Sequence, residues 1–209
     1  MIEAPEVIFD EEAHTYEQGG VRCPRSVTGL LQKYGLTDDL SQIPPRILET
    51  ARQRGSAYAE GRRLILQGFE LDPLSIDPQI QGYLNAFTRF WKESGATLIE
   101  TEVPRISPLG FAFKADIYAF LNGRRIVIDD KCTSAIPKSV GPQTAGYKIG
   151  FSSLYPSEPI EERAVLWLKK DGTFKFKLLQ DPDDEPAFMD CLDADIKLGL
   201  WQKKYGGKS

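Results

Sequence analysis

The order of apolar and polar positions divides the chain into a helical first half and a second half rich in strands. In the segment PQIQGYLNAFTRFWKES, four large apolar residues recur at spacings of four, three and four, the period of one helical face. They are Ile80, Leu84, Phe87 and Trp91. Asp77-Pro78 forms a cap with a first-turn proline, and Gly95 follows the last turn. The pattern therefore predicts a helix over 78–94.

Similar signals predict the other helices and an N-terminal hairpin. Ser26 is a cap residue before VTGLLQKY, and Pro44-Pro45 begins a longer helix that Gly68 ends. The additional helices that we expect span about residues 27–34, 45–66, 141–151 and 185–205. Before them, VIFD, HTYEQ and VRCP predict strands, with a turn at Gly19-Gly20.

From residue 96 the pattern changes to strands. ATLIETEV, GFAFKADIYAFL and RRIVIDDK follow in succession, and Asn122-Gly123 predicts a hairpin between the last two. RAVLWLKK and TFKFKLL predict a second hairpin around Asp171-Gly172. We expect an α/β fold with a central mixed sheet flanked by helices, formed by a single domain over residues 1–209. Within it, 1–95 contains the hairpin and first helices, 96–180 the sheet core and 181–209 the C-terminal helix.

Composition and charge exclude some classes of protein. The chain is 41% hydrophobic and 27% charged, has no apolar run near the roughly 20 residues of a membrane span, and begins with the acidic MIEAPEVIFDEEAH. We therefore expect a cytoplasmic protein without a signal peptide. Its three scattered cysteines fit no disulfide framework or CxxC knuckle, so we expect reduced thiols. The net charge of −4 argues against a protein that coats nucleic acid, but not against an enzyme with a local basic groove.

Charged residues at strand ends are the candidates for chemistry. Asp116 lies within one apolar run, and Asp129-Asp130-Lys131 ends the next. Burying such charges without partners costs several kcal/mol, so they lie at a solvated rim or bind something. Strand alternation places Asp129 and Lys131 on one face and Asp130 on the other, and the hairpin brings Asp116 near Asp129.

Two carboxylates and a lysine that converge in this way form a site for Mg²⁺ or Mn²⁺, which prefer oxygen ligands. Asp130 offers a further oxygen through its carbonyl, and Glu102 on the preceding strand a third carboxylate. Such a site suits phosphodiester hydrolysis, in which Lys131 positions or helps to deprotonate the attacking water and offsets charge. The bland alternative is that Asp129 and Lys131 form a surface ion pair.

These residues resemble a known family. Asp116 followed by Asp129-Asp130-Lys131 resembles the core motif of the PD-(D/E)xK nuclease superfamily, and Gln143-Thr144-Ala145-Gly146-Tyr147 resembles the Gln-x-x-x-Tyr motif of its RecB-like and phage-type exonuclease branch. HTYEQGGVRCPRSVTGLL and ARQRGSAY are similar to N-terminal segments of phage and prophage members. The resemblance covers most of residues 10–147.

The resemblance implies a restriction-endonuclease-like core and a Mg²⁺- or Mn²⁺-dependent deoxyribonuclease. An exonuclease for phage DNA recombination or processing is favoured over an endonuclease. The enzyme would act in the cytoplasm of a bacterial or phage-infected cell. It implies Asp116, Asp129, Lys131, Gln143 and Tyr147 as catalytic residues. Asp116, Asp129, Asp130 and Glu102 are the implied metal ligands, and Arg54, Gln143 and Tyr147 the nucleic-acid contacts. The implied partner is DNA, either single- or double-stranded, and no membrane is expected to be bound. The resemblance is also compatible with a homo-oligomer or with a recombination protein as a second partner.

Two departures from the family pattern keep alternatives open. Ala59 stands where the family has a metal-binding histidine, so that Glu60 or Glu102 replaces it or the site has fewer ligands. Three scattered cysteines argue against the iron–sulfur cluster of some relatives. The alternatives are a catalytically silent nuclease-fold module that binds DNA or a protein, and a structural protein without metal. We expect His14 to have a structural role and the three tryptophans, Trp91, Trp167 and Trp201, to lie in the core.

Overall fold

The computed structural model describes residues 6–206. Residues 1–5 and 207–209 lie outside the described residues, and so do the expectations that concern them. Among the described helices, none is long and apolar enough to cross a membrane. The predicted N-terminal hairpin is confirmed as a three-stranded antiparallel sheet. Its strands are β1 (Val7–Asp10), β2 (Thr15–Gln18) and β3 (Val21–Cys23).

Four helices begin and end within one residue of the predicted bounds, and α4 extends three residues beyond its predicted end. They are α1 (Val27–Lys33), α2 (Pro45–Leu66), α3 (Pro78–Ser94), α4 (Val140–Leu154) and α5 (Asp184–Tyr205). The Ser26 side chain accepts a hydrogen bond from the Gly29 N–H, and the Asp77 side chain accepts one from the Gln79 N–H. Gly95 ends α3 with a left-handed φ of 66°, a conformation that glycine adopts without steric cost. Local capping therefore determines where α1 and α3 begin and where α3 ends.

A mixed five-stranded sheet forms the centre, which confirms the predicted α/β class. Its strands are β4 (Thr97–Glu100), β7 (Ile117–Leu121), β8 (Arg124–Lys131), β9 (Glu162–Leu168) and β10 (Phe174–Leu178), in the order β10-β9-β8-β7-β4. β8 and β9 are parallel and are connected through α4, whereas the other neighbours are antiparallel. Asn122 and Gly123 both have positive φ, as the tight turn between β7 and β8 requires.

The sheet separates two apolar cores. Ile126 and Ile128 of β8 pack in one cluster with the apolar face of α3, whereas Val127 packs in the other cluster with residues of α1, α4 and α5. This alternation along β8 is the period-2 pattern of a strand that is covered on both faces. The charged end of β8 is therefore supported by rigid packing on either side.

The expectation of one continuous strand over GFAFKADIYAFL is wrong. The segment divides into β6 (Phe111–Lys114), which pairs with β5 (Pro104–Ser107) in a separate two-stranded sheet, and β7 of the central sheet. At the break, the Glu102 N–H donates to the Ala115 carbonyl and the Thr101 hydroxyl donates to the Asp116 carbonyl. These bonds replace the regular ladder and place Asp116 at a strand junction.

Candidate active site at the end of β8

The last three residues of β8 direct their side chains to alternate faces of the sheet. Asp129 is fully buried on the face that α4 covers, and the Lys131 Nζ lies 2.7 Å from its Oδ2. Asp130 is buried on the opposite face, where the Tyr58 hydroxyl donates to its carboxylate. The alternation that the sequence predicts for these three residues is thus present.

Asp116 is adjacent to this charged end across the β7–β8 pair. Ile117 is opposite Ile128, and the same register continued by one residue places Asp116 opposite Asp129. An Asp116 carboxylate oxygen accepts a hydrogen bond of 3.2 Å from the main-chain N–H of Asp130. The Asp116 side chain is 25% exposed. Asp116 thus connects the buried Asp129 with solvent.

The environment of Asp129 disfavours its charged form. Burial raises the pKa of Asp129 to about 7; Lys131 opposes this shift and the neighbouring Asp116 carboxylate adds to it. The Oδ2 atom of Asp129 is bound by Lys131, whereas its Oδ1 accepts no hydrogen bond from any described residue. A buried carboxylate oxygen without a donor is costly unless another cation binds it.

Lys131 is held in its charged form. Burial opposes the charge on its ammonium group, but the carboxylates of Asp129 and Asp116 outweigh burial and raise the pKa of Lys131. In this arrangement Lys131 is a hydrogen-bond donor and a positive charge, and a poor base. Of the two roles that the sequence leaves open for it, the positioning of a water or phosphate oxygen suits this protonation state better.

On the opposite face, Arg62 of α2 gathers the remaining acidic groups. Its guanidinium is 1% exposed and donates to Asp130 over 2.6 Å. It also lies 3.0 Å from Glu102 and 3.8 Å from Asp116. Burial opposes the charge on Arg62, but Asp130 and Asp116 raise its pKa above the usual value. Of the carboxylates predicted to bind metal, that of Glu102 is thus already paired with Arg62, and that of Asp116 is within ion-pair distance of it. The carboxylate of Asp130, whose carbonyl was the expected ligand, is paired with Arg62 as well.

Tyr58 and Arg62 are the site residues that sequence reasoning missed. Arg62 is among the most buried side chains of the described protein. A signal was present: Tyr58, Arg62 and Ile65 follow the spacing of one helical face, so that the arginine interrupts an apolar stripe. A charge within such a stripe needs a buried partner.

The backbone at Glu102 is strained. Glu102 has φ = 51°, in the left-handed region that residues other than glycine seldom adopt. This conformation accompanies its ion pair with Arg62 beside the site. Glu100, the acid two residues before Glu102, accepts a hydrogen bond from Arg105 instead. Glu60 is exposed on α2 and pairs with Arg63. Of the two acids proposed to replace the missing histidine at Ala59, only Glu102 contacts the site residues.

α4 brings the predicted glutamine and tyrosine to the Asp129 face. The Gln143 side-chain amide donates to the Tyr147 hydroxyl over 2.7 Å, as expected for residues one helical turn apart. Burial, followed by the charges of Asp116 and Asp129, raises the pKa of Tyr147 well above its usual value. A protonated phenol and an amide therefore adjoin the two carboxylates.

Arg54 lies apart from this cluster. It is half-buried on α2, two turns before Arg62, and lines a shallow cleft with Arg46, Ile47, Thr50 and Ala51. The positive charge of Arg54 lowers the pKa of Tyr83, although burial outweighs this effect and raises it. Arg54 thus lies on the α2 side of the sheet and outside the group formed by Asp116, Asp129 and Lys131.

The donor set fits a divalent cation with few protein ligands. Among residues 6–206, no three His, Cys, Asp or Glu side chains are arranged as a ready metal site. Asp116 lies at the strand junction beside Asp129 and also within 3.8 Å of Arg62, and Asp129 has a buried oxygen without a hydrogen bond. Mg²⁺ commonly binds through one or two carboxylates and keeps several waters, so that this pair is sufficient in number and chemistry.

Comparison with known proteins adds no assignment to this geometry, because no protein-family model matches the chain and no curated protein matches it significantly.

Proposed function

We propose that the protein is a Mg²⁺- or Mn²⁺-dependent deoxyribonuclease of the PD-(D/E)xK superfamily, and an exonuclease of the phage type. The observation that carries the proposal is the Asp129 carboxylate, which is fully buried beside Asp116, with Lys131 at its Oδ2 and no hydrogen-bond donor to its Oδ1 among the described residues. A structural charge at this depth would have donors around it. An acid prepared for a cation would lack them.

The strand order supports the finer fold assignment. The acid-bearing strands β7 and β8 are adjacent and central, and the helix that carries Gln143 and Tyr147 connects β8 to the parallel strand β9. This is the spatial relation that a restriction-endonuclease-like core requires between the Asp…Asp-x-Lys and Gln-x-x-x-Tyr motifs.

Each residue of the site then has a role. Asp116 and Asp129 would hold the metal, with the main-chain carbonyl of Asp130 as an additional oxygen. A bound Mg²⁺ or Mn²⁺ lowers the pKa of water and neutralises charge on the phosphoryl group. Lys131 keeps its ammonium charge, orients the attacking water and donates to a phosphate oxygen. Gln143 and the Tyr147 hydroxyl offer donors to the phosphate or to a base edge.

Arg62 and Tyr58 act on the site by positioning it. They hold the Asp130 carboxylate on the opposite face, which fixes the end of β8 and thus the direction of Asp129 and Lys131. In this proposal the Asp130 and Glu102 carboxylates stay paired with Arg62 and do not bind the metal.

The proposal is tested by cleavage of end-labelled single- and double-stranded DNA in Mn²⁺. We expect Asp116→Ala and Lys131→Ala to reduce the rate at least a hundredfold, a loss typical of catalytic acid–base and electrostatic groups. Glu60→Ala is the matched control, because Glu60 is an exposed acid on α2 paired with Arg63. Cleavage by either purified variant at the wild-type rate would contradict the assignment, provided that circular dichroism shows a folded protein.

A second candidate is a catalytically silent nuclease-fold module that binds DNA or a protein. It is favoured by the pairing of Asp130 and Glu102 with Arg62, together with Ala59 at the histidine position, which leaves two carboxylates for metal. Binding of labelled DNA without turnover at any Mn²⁺ concentration would support this candidate over the enzyme.

A further inference from the structure

A row of side chains crosses the sheet from the site to its edge. Lys131 on β8 is paired in register with Trp167 on β9, and Trp167 with Lys175 on β10. One step along the strands, Asp129 is opposite Val165, and Val165 opposite Lys177. Since neighbouring strands lie about 4.8 Å apart, Trp167 and Lys175 are about 5 and 10 Å from Lys131 across the sheet.

Trp167 lies outside the core in which it was expected. It is half-buried and belongs to neither apolar cluster, whereas the flanking Leu166 and Leu168 lie in the α3-side core. Its indole N–H donates to the Thr133 carbonyl over 2.8 Å, which fixes the orientation of the ring. Lys169 Nζ lies over the ring, and Lys175 Nζ is 5.8 Å from its centroid.

The lysines around this ring form no ion pair among the described residues, although the charge of the Asp171 carboxylate acts on Lys169. Lysine ion pairs in residues 6–206 involve Lys33, Lys114, Lys131 and Lys148, and none involves Lys169, Lys175 or Lys177. Desolvation and the positive charge of Lys175 lower the pKa of Lys169. In a chain with a net charge of −4, three unpaired cations beside one tryptophan form a local basic surface. We call Trp167, Lys169, Lys175 and Lys177 the Trp–Lys strip.

The support beneath the strip is rigid. A Cβ atom placed on Gly82 of α3 would lie 1.8 Å from the Lys170 carbonyl oxygen, so that α3 contacts the β9–β10 turn backbone directly. Thr173 donates to Asp171 within the same turn, and Phe174 and Phe176 pack in edge-to-face and stacked contacts on Phe90. The side chains of the strip therefore project from a fixed β-hairpin beside the site.

We propose that the Trp–Lys strip binds single-stranded DNA that extends from the active site, with a base stacked on Trp167 and phosphates bound by Lys169 and Lys175. This inference rests on the proposed nuclease function and names the form of its substrate. Aromatic rings bind unpaired bases by stacking whatever their sequence, and lysines beside them bind the backbone. A duplex keeps its bases stacked on each other, so that it cannot use Trp167 in this way.

The test measures binding without cleavage. Fluorescence anisotropy of a labelled 12-mer of thymidine is followed in EDTA over a range of salt concentrations. We expect Lys169→Gln/Lys175→Gln to bind about tenfold more weakly at low salt and to reduce the slope of log affinity against log salt by about 1.4, two counterions at about 0.7 each. Lys203→Gln/Lys204→Gln is the matched control, since it removes two exposed lysines beside the aromatic Tyr205.

Trp167→Leu isolates the stacking contact. We expect this variant to bind the 12-mer about tenfold more weakly with an unchanged salt slope, and to lose the quenching of tryptophan fluorescence that the wild type shows. Wild-type affinity and slope in the double lysine variant would overturn the inference. Equal binding of a 12-base-pair duplex and the single strand by the wild type would also overturn it.

A small substrate separates this inference from the proposed function. Bis(p-nitrophenyl) phosphate has a single phosphate and no further backbone for Lys169 and Lys175 to bind, so in Mn²⁺ we expect the wild type and the double lysine variant to hydrolyse it at equal rates. A wild type that hydrolyses neither this ester nor DNA contradicts the nuclease function, while the binding measurements still decide whether the strip takes a single strand.

Discussion

The two faces at the end of β8 each carry a buried aspartate, but the two aspartates differ in the hydrogen bonds that their carboxylates receive. On the α2 face, both carboxylate oxygens of Asp130 have hydrogen bonds, one from Tyr58 and one from Arg62. On the α4 face, Asp129 is at least as deeply buried; its Oδ2 has the ion pair with Lys131, but its Oδ1 has no hydrogen-bond donor among the described residues. Adjacent aspartates on one strand thus differ in whether the protein itself satisfies them.

Under the proposed function, this difference separates structural charge from charge that binds a ligand. Both carboxylate oxygens of Asp130 are bonded by the protein, and its pair with Arg62 holds the strand end in place, although Nε of Arg62 has no hydrogen-bond partner among the described residues. Asp129, with Asp116 beside it and Lys131 as its one cation, is an incomplete arrangement that a divalent ion would complete. Burial alone would have ranked the two aspartates equally, and only the count of donors distinguishes them.

The largest effect that we expect is on the satisfied face. Arg62→Ala leaves Asp130 buried without a counter-charge, so unfolding in urea should show a loss of about 3–5 kcal/mol. Arg63→Ala, which removes the exposed neighbour on the same helix, should leave the stability close to that of the wild type. Equal stabilities of the two variants would show that Asp130 does not depend on Arg62.

On the open face, Mn²⁺ should stabilise the folded protein. At a concentration 100 times the dissociation constant we expect a gain of about 2.7 kcal/mol in the free energy of unfolding. Asp116→Ala and Asp129→Asn should abolish this gain, and Glu60→Ala should keep it. Retention of the full Mn²⁺ effect in Asp129→Asn would place the metal elsewhere.

Removal of a single hydroxyl tests the same contrast on a smaller scale. Tyr58→Phe deletes the hydrogen bond of 2.7 Å to the buried Asp130, which should cost about 2 kcal/mol because the acceptor is charged. Tyr83→Phe is the control: Tyr83 is equally buried, packs edge-on against Tyr58, and forms no side-chain hydrogen bond among the described residues. Chemical denaturation of both variants gives the comparison.

The smallest effect is the pH dependence of metal binding. Burial raises the pKa of Asp129 from 3.8 to about 7. In the metal-free protein, the stability from this protonated carboxyl is fully present below pH 4 and is lost as the pH rises through 7. Because metal must displace the proton, apparent Mn²⁺ affinity should fall about tenfold per pH unit below 7, or about 1.4 kcal/mol. An affinity that is constant between pH 5.5 and 7 would contradict this.

Local signals predict much of the fold. Caps, prolines and turn glycines determine the helix limits and the hairpins at Asn122-Gly123 and Asp171-Gly172, and each of these acts over a few residues. The division of GFAFKADIYAFL into β6 and β7 could not be predicted in this way. It depends on hydrogen bonds from Thr101 and Glu102, which are distant in sequence and carry no periodicity.

The site shows the same limit. Strand alternation predicts that Asp129 and Lys131 share a face, and the hairpin predicts that Asp116 is adjacent to them. The partners of Asp130 come from α2, 68 and 72 residues earlier in the chain. No spacing rule links such residues, so the sequence did not indicate Arg62 as a partner of Asp130. For the same reason Trp167 was expected in the core.

The most direct test of this contrast is the anomalous diffraction of a crystal soaked in Mn²⁺. We expect a peak between the Asp116 and Asp129 carboxylates, with Asp130 still bonded to Tyr58 and Arg62. A peak that instead involves the Asp130 and Glu102 carboxylates, or no peak at Asp129 at saturating Mn²⁺, would contradict the assignment of the unsatisfied face to the metal.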